Sequence, residues 1–278
     1  MNRSIRLYRA LPVIVLGAAL ALVPRPGFPS DLCGEDGDWS QTHFGDRGKT
    51  ATDLQEIHEP APRGAWRIDC GDNGSAQLSA WDKDEIQICA QVTAWAPDRA
   101  RAEALRRSIH VETGGGMLRA EGPDQTRTSR WSVSYRIFAP KKLDLNAQAV
   151  NGGVSIEGIH GRIVLHSVNG PIGITDSGGD VRGRTTNGPL SVRLAGTRWS
   201  GEGLDVETVN GPISLMVPER FSADLETGTT NGPMEMAFPV TMQGRMTHHI
   251  TTVLGQGGPP IRVVTTNGPV VVERPGRE

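Results

Sequence analysis

From residue 151 onward the polar and apolar positions fall into one recurring pattern, an Asn-Gly pair followed by a short run of alternating apolar residues. The pairs are Asn151-Gly152, Asn169-Gly170, Asn187-Gly188, Asn210-Gly211, Asn231-Gly232 and Asn267-Gly268. Two positions beyond each Gly stands Val154, Ile172, Leu190, Ile213, Met234 or Val270, and two further on Ile156, Ile174, Val192, Leu215, Met236 or Val272. Alternation with period two predicts a strand with one buried face. Five of the pairs have a hydroxyl residue two places before the Asn: Ser167, Thr185, Thr208, Thr229 and Thr265. Successive copies begin 18, 18, 23, 21 and 36 residues apart, the last interval being two steps of 18. A period of this length with one β unit per copy predicts a stacked repeat fold.

The next residue separates two architectures. Asn-Gly between alternating strands ordinarily signals a two-residue hairpin. That turn is closed by the N–H of the residue after Gly, which bonds back to the carbonyl before Asn. In five copies that residue is proline (Pro171, Pro189, Pro212, Pro233, Pro269), which has no N–H. A corner of a coil needs no such bond. The expected fold class is therefore all-β, a single-domain β-solenoid resembling a parallel β-helix, with rungs of about 18–23 residues by the repeat spacing. A meander or sandwich of hairpins is the competing architecture. In the coil the corner Asn side chains would stack as an amide ladder, as in stacked sheets. Glycine would supply positive φ there, and Asn tolerates it. Asn267, in the last copy, would then sit at an end of the ladder.

The pattern before the repeats is less regular. Strands are predicted at 54–58, 66–70, 76–81 and 85–93, and Asn73-Gly74 reads as a seventh, degenerate corner. Pro97-Asp98-Arg99 opens one short helix reaching about Arg107, with Pro in the first turn and Asp98 near the positive end of the dipole. Residues 108–121 return to strand, broken at Gly114-Gly115-Gly116, and Trp131, Val133, Tyr135 and Ile137 mark the apolar face of another strand. Five of the six Trp residues precede the repeats, which predicts an aromatic-filled cap at 53–140 and an aliphatic stack at 141–275.

Residues 1–30 read as a signal peptide, with Arg3, Arg6 and Arg9 before the apolar run Leu11 to Val23 and Ala19-Leu20-Ala21 as a cleavage site. The run is short for a membrane span, so the mature chain is expected to have none. Residues 31–52 read as a polar tether. Cys33 follows Ser30-Asp31-Leu32, which does not match a lipoprotein cleavage site. Removing residues 1–30 takes away four Arg and moves the formal charge from −2 to −6. A mildly acidic exported protein without a basic cluster is a poor nucleic-acid binder. Three cysteines in an oxidising compartment allow one internal disulfide. Cys70 and Cys89, in neighbouring predicted strands, are the expected pair, with Cys33 left over. The alternative is that both are buried small apolar residues.

The stretch Val168-Asn169-Gly170-Pro171-Ile172 and its relatives, with Leu254-Gly255-Gln256-Gly257-Gly258 and Thr265-Thr266-Asn267-Gly268, resemble the bacterial "putative adhesin" family. Trp66-Arg67-Ile68-Asp69, Asn73-Gly74 and Trp81-Asp82-Lys83-Asp84-Glu85-Ile86 are similar to the opening repeat of such domains. The resemblance covers roughly 53–275 by the extent of the repeat. It implies a β-solenoid on a cell-envelope protein and implies no catalytic residues.

Polysaccharide-cleaving β-helices need clustered carboxylates on one strand face. Here the candidates are Asp176 and Asp180, flanking a turn at Ser177-Gly178-Gly179, with Glu202, Asp205 and Glu207 on a rung connection. No acidic residue recurs at a fixed offset from the corner, so these read as solvated carboxylates. His248 and His249 point to opposite faces if they lie in a strand, and His160 and His166 straddle a turn, so no metal or other cofactor is expected. The six corner Asn and the glycines after them read as structure, not as a binding site. These readings favour a non-enzymatic exported envelope protein, structural or adhesin-like, with a protein or glycan partner. A carbohydrate-active lyase or hydrolase is the alternative.

Overall fold

The computed structural model describes Cys33, residues 48–238 and residues 249–275. The signal-peptide segment 1–30, most of the 31–52 tether, Trp39 and His248 lie outside the described residues. Before the repeats come β1 (Lys49–Pro60), β2 (Trp66–Asp69), β3 (Ala76–Trp81), β4 (Glu85–Ala96), α1 (Arg99–Arg107), β5 (His110–Gly114), β6 (Met117–Glu121) and β7 (Arg130–Pro140). The repeats supply β8 (Leu145–Ala149), β9 (Val154–Glu157), β10 (His160–Ser167), β11 (Ile172–Thr175), β12 (Gly178–Asn187), β13 (Leu190–Arg193) and β14 (Gly203–Asn210). They continue through β15 (Ile213–Met216), β16 (Ala223–Asn231), β17 (Met234–Met236), β18 (His249–Leu254), β19 (Pro260–Asn267) and β20 (Val270–Glu273).

The chain is mostly β, in two ten-stranded sheets. The first runs β1-β4-β7-β3-β9-β11-β13-β15-β20-β17, and the second β18-β16-β19-β14-β12-β10-β8-β2-β6-β5. An Asn-Gly corner carries the chain from the second sheet to the first in each two-strand rung. Asn73 makes the first such corner, between β2 and β3. In space the rungs are β2/β3, β8/β9, β10/β11, β12/β13, β14/β15, β19/β20 and β16/β17, all paired in parallel. The sheets as wholes are mixed, and this corrects the expectation of a purely parallel stack. β4 pairs antiparallel with both β1 and β7, β5 with β6, and β16 with β18. Long hairpin strands replace short rungs before residue 141 because the corner motif is missing there apart from Asn73-Gly74.

Rungs stay on separate levels because the corners bond from rung to rung. Ile172 N–H donates to the Pro189 carbonyl at 3.0 Å, Leu190 N–H to Pro212 at 3.0 Å and Ile213 N–H to Pro269 at 2.8 Å. Proline at this place gives up an N–H that no strand needs, while its carbonyl still accepts. The spatial order holds one surprise: the sixth copy is inserted between the fourth and the fifth.

One continuous core runs through both sheets. It takes Leu145, Ile163, Val181, Leu204, Ile261 and Leu225 from the second sheet and Val154, Ile172, Leu190, Ile213 and Val270 from the first. The cap's aromatics are split between two faces. Trp66 and Tyr135 enter the core and Trp131 packs against it. Trp81 instead lies against Phe138 with ring centroids 5.8 Å apart, on residues whose strand neighbours Ala80 and Ile137 are the ones facing the core. Helix α1 begins at Arg99, which leaves Pro97 outside the first turn where the sequence had placed it, and Asp98 is the N-cap, accepting from Arg101 N–H at 2.9 Å. Its Ala102 packs on Ala51 and Ala96. Strand β1 starts at Lys49, inside the segment expected to be a tether.

The disulfide joins Cys33 to Cys89, and Cys70 is the free, buried thiol. This overturns the expected Cys70–Cys89 pair, and strand parity is the reason. Along β4 the residues Ile86, Ile88, Ala90 and Val92 face the core, so Cys89 faces outward, while Cys70 belongs to the core itself. The two sulfurs lie on opposite sides of the first sheet. Burial, with the Asp69 carboxylate nearby, pushes the Cys70 thiol well above its ordinary range and leaves it unreactive. Peptide mapping without reduction is expected to recover Cys33 linked to Cys89, with Cys70 alkylated only after denaturation. Recovery of a peptide linking Cys70 to Cys89 would overturn this arrangement. Cys33→Ser, which opens a link spanning 56 residues, should cost about 4 kcal/mol on the loop-entropy model.

Candidate functional site

Each corner is built from three positions of the repeat. The hydroxyl residue two places before the Asn is the last inward-facing residue of its strand, so it reaches the rung before it. Ser167 Oγ donates to the Gly152 carbonyl at 2.9 Å, Thr185 Oγ1 to Gly170 at 2.9 Å, Thr208 Oγ1 to Gly188 at 2.9 Å and Thr265 Oγ1 to Gly211 at 3.0 Å. These hydroxyls are buried, and each satisfies a carbonyl that belongs to no strand. Thr229, on the end rung, is buried with its hydroxyl unpartnered.

The glycines are needed for space. Among the corner glycines only Gly268 has positive φ, which corrects the expectation that conformation dictates them. A Cβ on Gly170, Gly188, Gly211, Gly268 or Gly232 would run into the carbonyl of the glycine on the neighbouring rung, and a Cβ on Gly152 into that of Gly74. That same carbonyl accepts the Ser or Thr hydroxyl on four rungs.

The Asn side chains form one unbroken row. Asn151 Nδ2 donates to Asn73 Oδ1 at 3.3 Å, Asn169 to Asn151 at 2.9 Å, Asn187 to Asn169 at 2.8 Å and Asn210 to Asn187 at 2.9 Å. Asn267 then donates to Asn210 at 2.8 Å and Asn231 to Asn267 at 2.8 Å. Asn267 thus has a neighbour on each side, and Asn231 occupies the end where the repeat order had placed Asn267. Every amide in the row is committed to another amide.

The outer face of the second sheet carries the charges. In register across four strands stand Arg182, Asp205, Arg262 and Glu226, and beside them Arg184 and Glu207. Arg184 Nη2 meets Asp205 Oδ2 at 2.6 Å, and Arg262 Nη1 meets Asp205 Oδ1 at 2.9 Å and Glu207 Oε2 at 3.2 Å. Arg262 Nε reaches Glu226 at 3.4 Å. Partial burial acts to raise the Asp205 carboxyl, but the hydrogen bonds and charges of Arg184 and Arg262 outweigh it and hold Asp205 below the usual carboxylate range.

The remaining candidates do not converge. Asp180 lies in β12, not in a turn, and pairs with Arg182 at 3.3 Å, while Asp176 forms the left-handed corner before β12 at φ 48°. Glu202 is exposed ahead of β14. His160 opens β10 and His166 lies exposed near its end, while His249 begins β18. Among the described residues no three His, Cys, Asp or Glu side chains come together as a metal site. One acid was missed in the sequence. Glu157 is pushed above the usual range by partial burial and by the Asp176 charge, against the pull of Arg193. The rung spacing that places Asp176 beside Glu157 was readable: Thr175 pairs with Glu157 in register.

No protein-family model matches this chain, and no curated protein matches it. Solved structures do. A "putative cell adhesion protein" from Clostridium sporogenes is similar with a TM-score of 0.44 and 9% identity, over 82% of this chain and 100% of its own. A "putative adhesin" from Bacteroides fragilis gives 0.35 and 12% over 80% and 97% of the two chains. A "putative lipid binding protein" from Parabacteroides distasonis gives 0.32 and 10% over 81% and 97%. These names are those of adhesins and a lipid-binding protein rather than of enzymes.

The corner geometry ranks three substitutions in urea melts. Thr208→Val removes a buried donor to the Gly188 carbonyl and should cost about 1–3 kcal/mol. The exposed amide bonds are worth less, so Asn231→Ala, with one ladder partner, should cost a few tenths, and Asn187→Ala, with two, roughly twice that. Equal losses for Asn187→Ala and Asn231→Ala would contradict the row.

Proposed function

We propose that this chain is a non-enzymatic, exported component of the bacterial cell envelope, in which a β-solenoid presents its long outer faces to a protein or glycan partner. The observation that carries this reading is the charged face of the second sheet. Asp205, Glu207 and Glu226 are all spent on Arg184 and Arg262, so these three carboxylates form a periodic surface and are not free to act as an acid–base pair. Export is supported by the basic, apolar start of the chain and by the Cys33–Cys89 link, which persists in oxidising compartments. A Cys33 sulfur bonded to Cys89 also leaves none for a lipid. No described helix is long and apolar enough to cross a membrane.

The carbohydrate-active alternative has one observation in its favour, the raised Glu157 beside Asp176. A single experiment separates the two. The full chain, expressed in a bacterium and fractionated, should appear in the envelope fraction with its N-terminus between about residues 22 and 33. That mature protein should bind envelope material and release no reducing ends from a polysaccharide panel. Recovery with Met1 intact in the cytosol and both Cys33 and Cys89 reduced would sink the export reading. Reducing-end release abolished by Glu157→Gln would replace the binding reading with the enzymatic one.

A further inference from the structure

The inserted sixth copy raises a question of selection. The corner sequence Thr-Thr-Asn-Gly-Pro is identical at 229–233 and 265–269. The two rungs pair in register, with Thr229 opposite Thr265 and Asn231 opposite Asn267. The corner therefore does not tell them apart: either Thr fits the Gly211 carbonyl, and either Asn fits the Asn210 amide. Yet the slot on β14 and β15 holds the later copy, β19/β20, and the earlier copy, β16/β17, sits one rung further out.

The two rungs differ where they face the preceding strand. Arg262 stands opposite Asp205, and the equivalent residue of the other rung is Glu226. In the observed order the signs alternate across Arg182, Asp205, Arg262 and Glu226. In the exchanged order Glu226 would stand against Asp205 and Glu207 with no cation between them, Arg184 remaining on the β12 side of the pair. Like charges directly opposite on neighbouring strands are destabilising. The rungs differ in their inward residues too, Val263, Val270 and Val272 against Thr227, Met234 and Met236, though the lesser burial of the two Met residues follows from their place on the end rung. That difference is graded, whereas the charge difference changes sign.

We propose that Arg262 selects which of two interchangeable rungs closes onto β14 and β15. Chains are made from the N-terminus, so β16/β17 is complete before β19/β20 exists. Glu226, repelled by Asp205 and Glu207, keeps the early rung out of the slot until the late rung carrying Arg262 arrives. The acidic pair on β14 thus acts as a gate on assembly, and the C-terminal rung as its keystone.

Cysteine probes on the outer face of the first sheet read the order. Ser214 is the register partner of Val271 on the adjacent rung, and Val271 that of Glu235 on the rung beyond. Under mild oxidation of the folded protein, the pair Ser214→Cys with Val271→Cys should cross-link, and Ser214→Cys with Glu235→Cys should not. Exchanging the charges, Glu226→Arg with Arg262→Glu, should reverse these yields. The neutral pair Glu226→Gln with Arg262→Gln should populate both orders and give both cross-links. Should the charge-exchanged chain fail to melt cooperatively, the neutral pair decides alone. A neutral pair that cross-links only 214 to 271, or that does not fold, overturns the proposal: order would then rest on apolar packing, or the charges would serve stability alone.

Discussion

The carbonyl oxygen of each corner glycine is the point on which the repeat turns. Strand pairing fixes the separation of neighbouring rungs near 4.8 Å. Where the chain leaves one sheet for the other, the backbone of one rung passes over the carbonyl of the rung beside it. Hydrogen fits in that gap and a methyl group does not, so the position must be glycine. The same oxygen needs a donor, and Ser167, Thr185, Thr208 and Thr265 supply one from the next rung. Asn before the glycine bonds its own counterpart along the row. One glycine carbonyl per rung thus accounts for two of the repeat's fixed positions, and the Asn row for a third.

Much of this could be read from the chain, and the misses have separate causes. Corners and strand phases follow from a local period, and proline after Gly weighed against the hairpin by a missing N–H. The cap helix was marked by Asp98, whose side chain closes the first turn. Spatial order is a different kind of information. The interval of 36 residues between the last two copies looks like one skipped copy, but in space it is an excursion to an end rung and back. The sign of residue 262 against residue 205 differs between the two orders, and that comparison requires knowing the register. The cysteine pairing failed for want of a parity argument available in Ile86, Ile88 and Ala90, which turn Cys89 away from the core. The role of the glycines was missed because close approach between rungs leaves no mark in a single copy.

For function, the same regularity gives surfaces rather than pockets of chemistry. Inward positions hold the rungs together, the corner amides and the hydroxyls of Ser167, Thr185, Thr208 and Thr265 are consumed by their neighbours, and Asp205, Glu207 and Glu226 are neutralised by Arg184 and Arg262. On the function proposed above, what the repeats offer a partner is a periodic surface. The alternation of charge also serves the fold itself, because it distinguishes rungs that the corner motif makes alike.

A comparison of three glycine-to-alanine substitutions in urea melts tests the central claim most directly. Gly188 has negative φ but no room for a Cβ, Gly196 has φ 69° with open space, and Gly64 has neither restriction. Gly64→Ala should be neutral or stabilising by up to about 1 kcal/mol. Gly196→Ala should cost roughly 1–2 kcal/mol from the left-handed backbone alone. Gly188→Ala should be the most damaging, at about 3 kcal/mol or more, because neither its own backbone nor the Gly170 carbonyl can yield without breaking strand pairing. A loss for Gly188→Ala no larger than that for Gly64→Ala would mean that the corners do not set the stacking, and the account would fail.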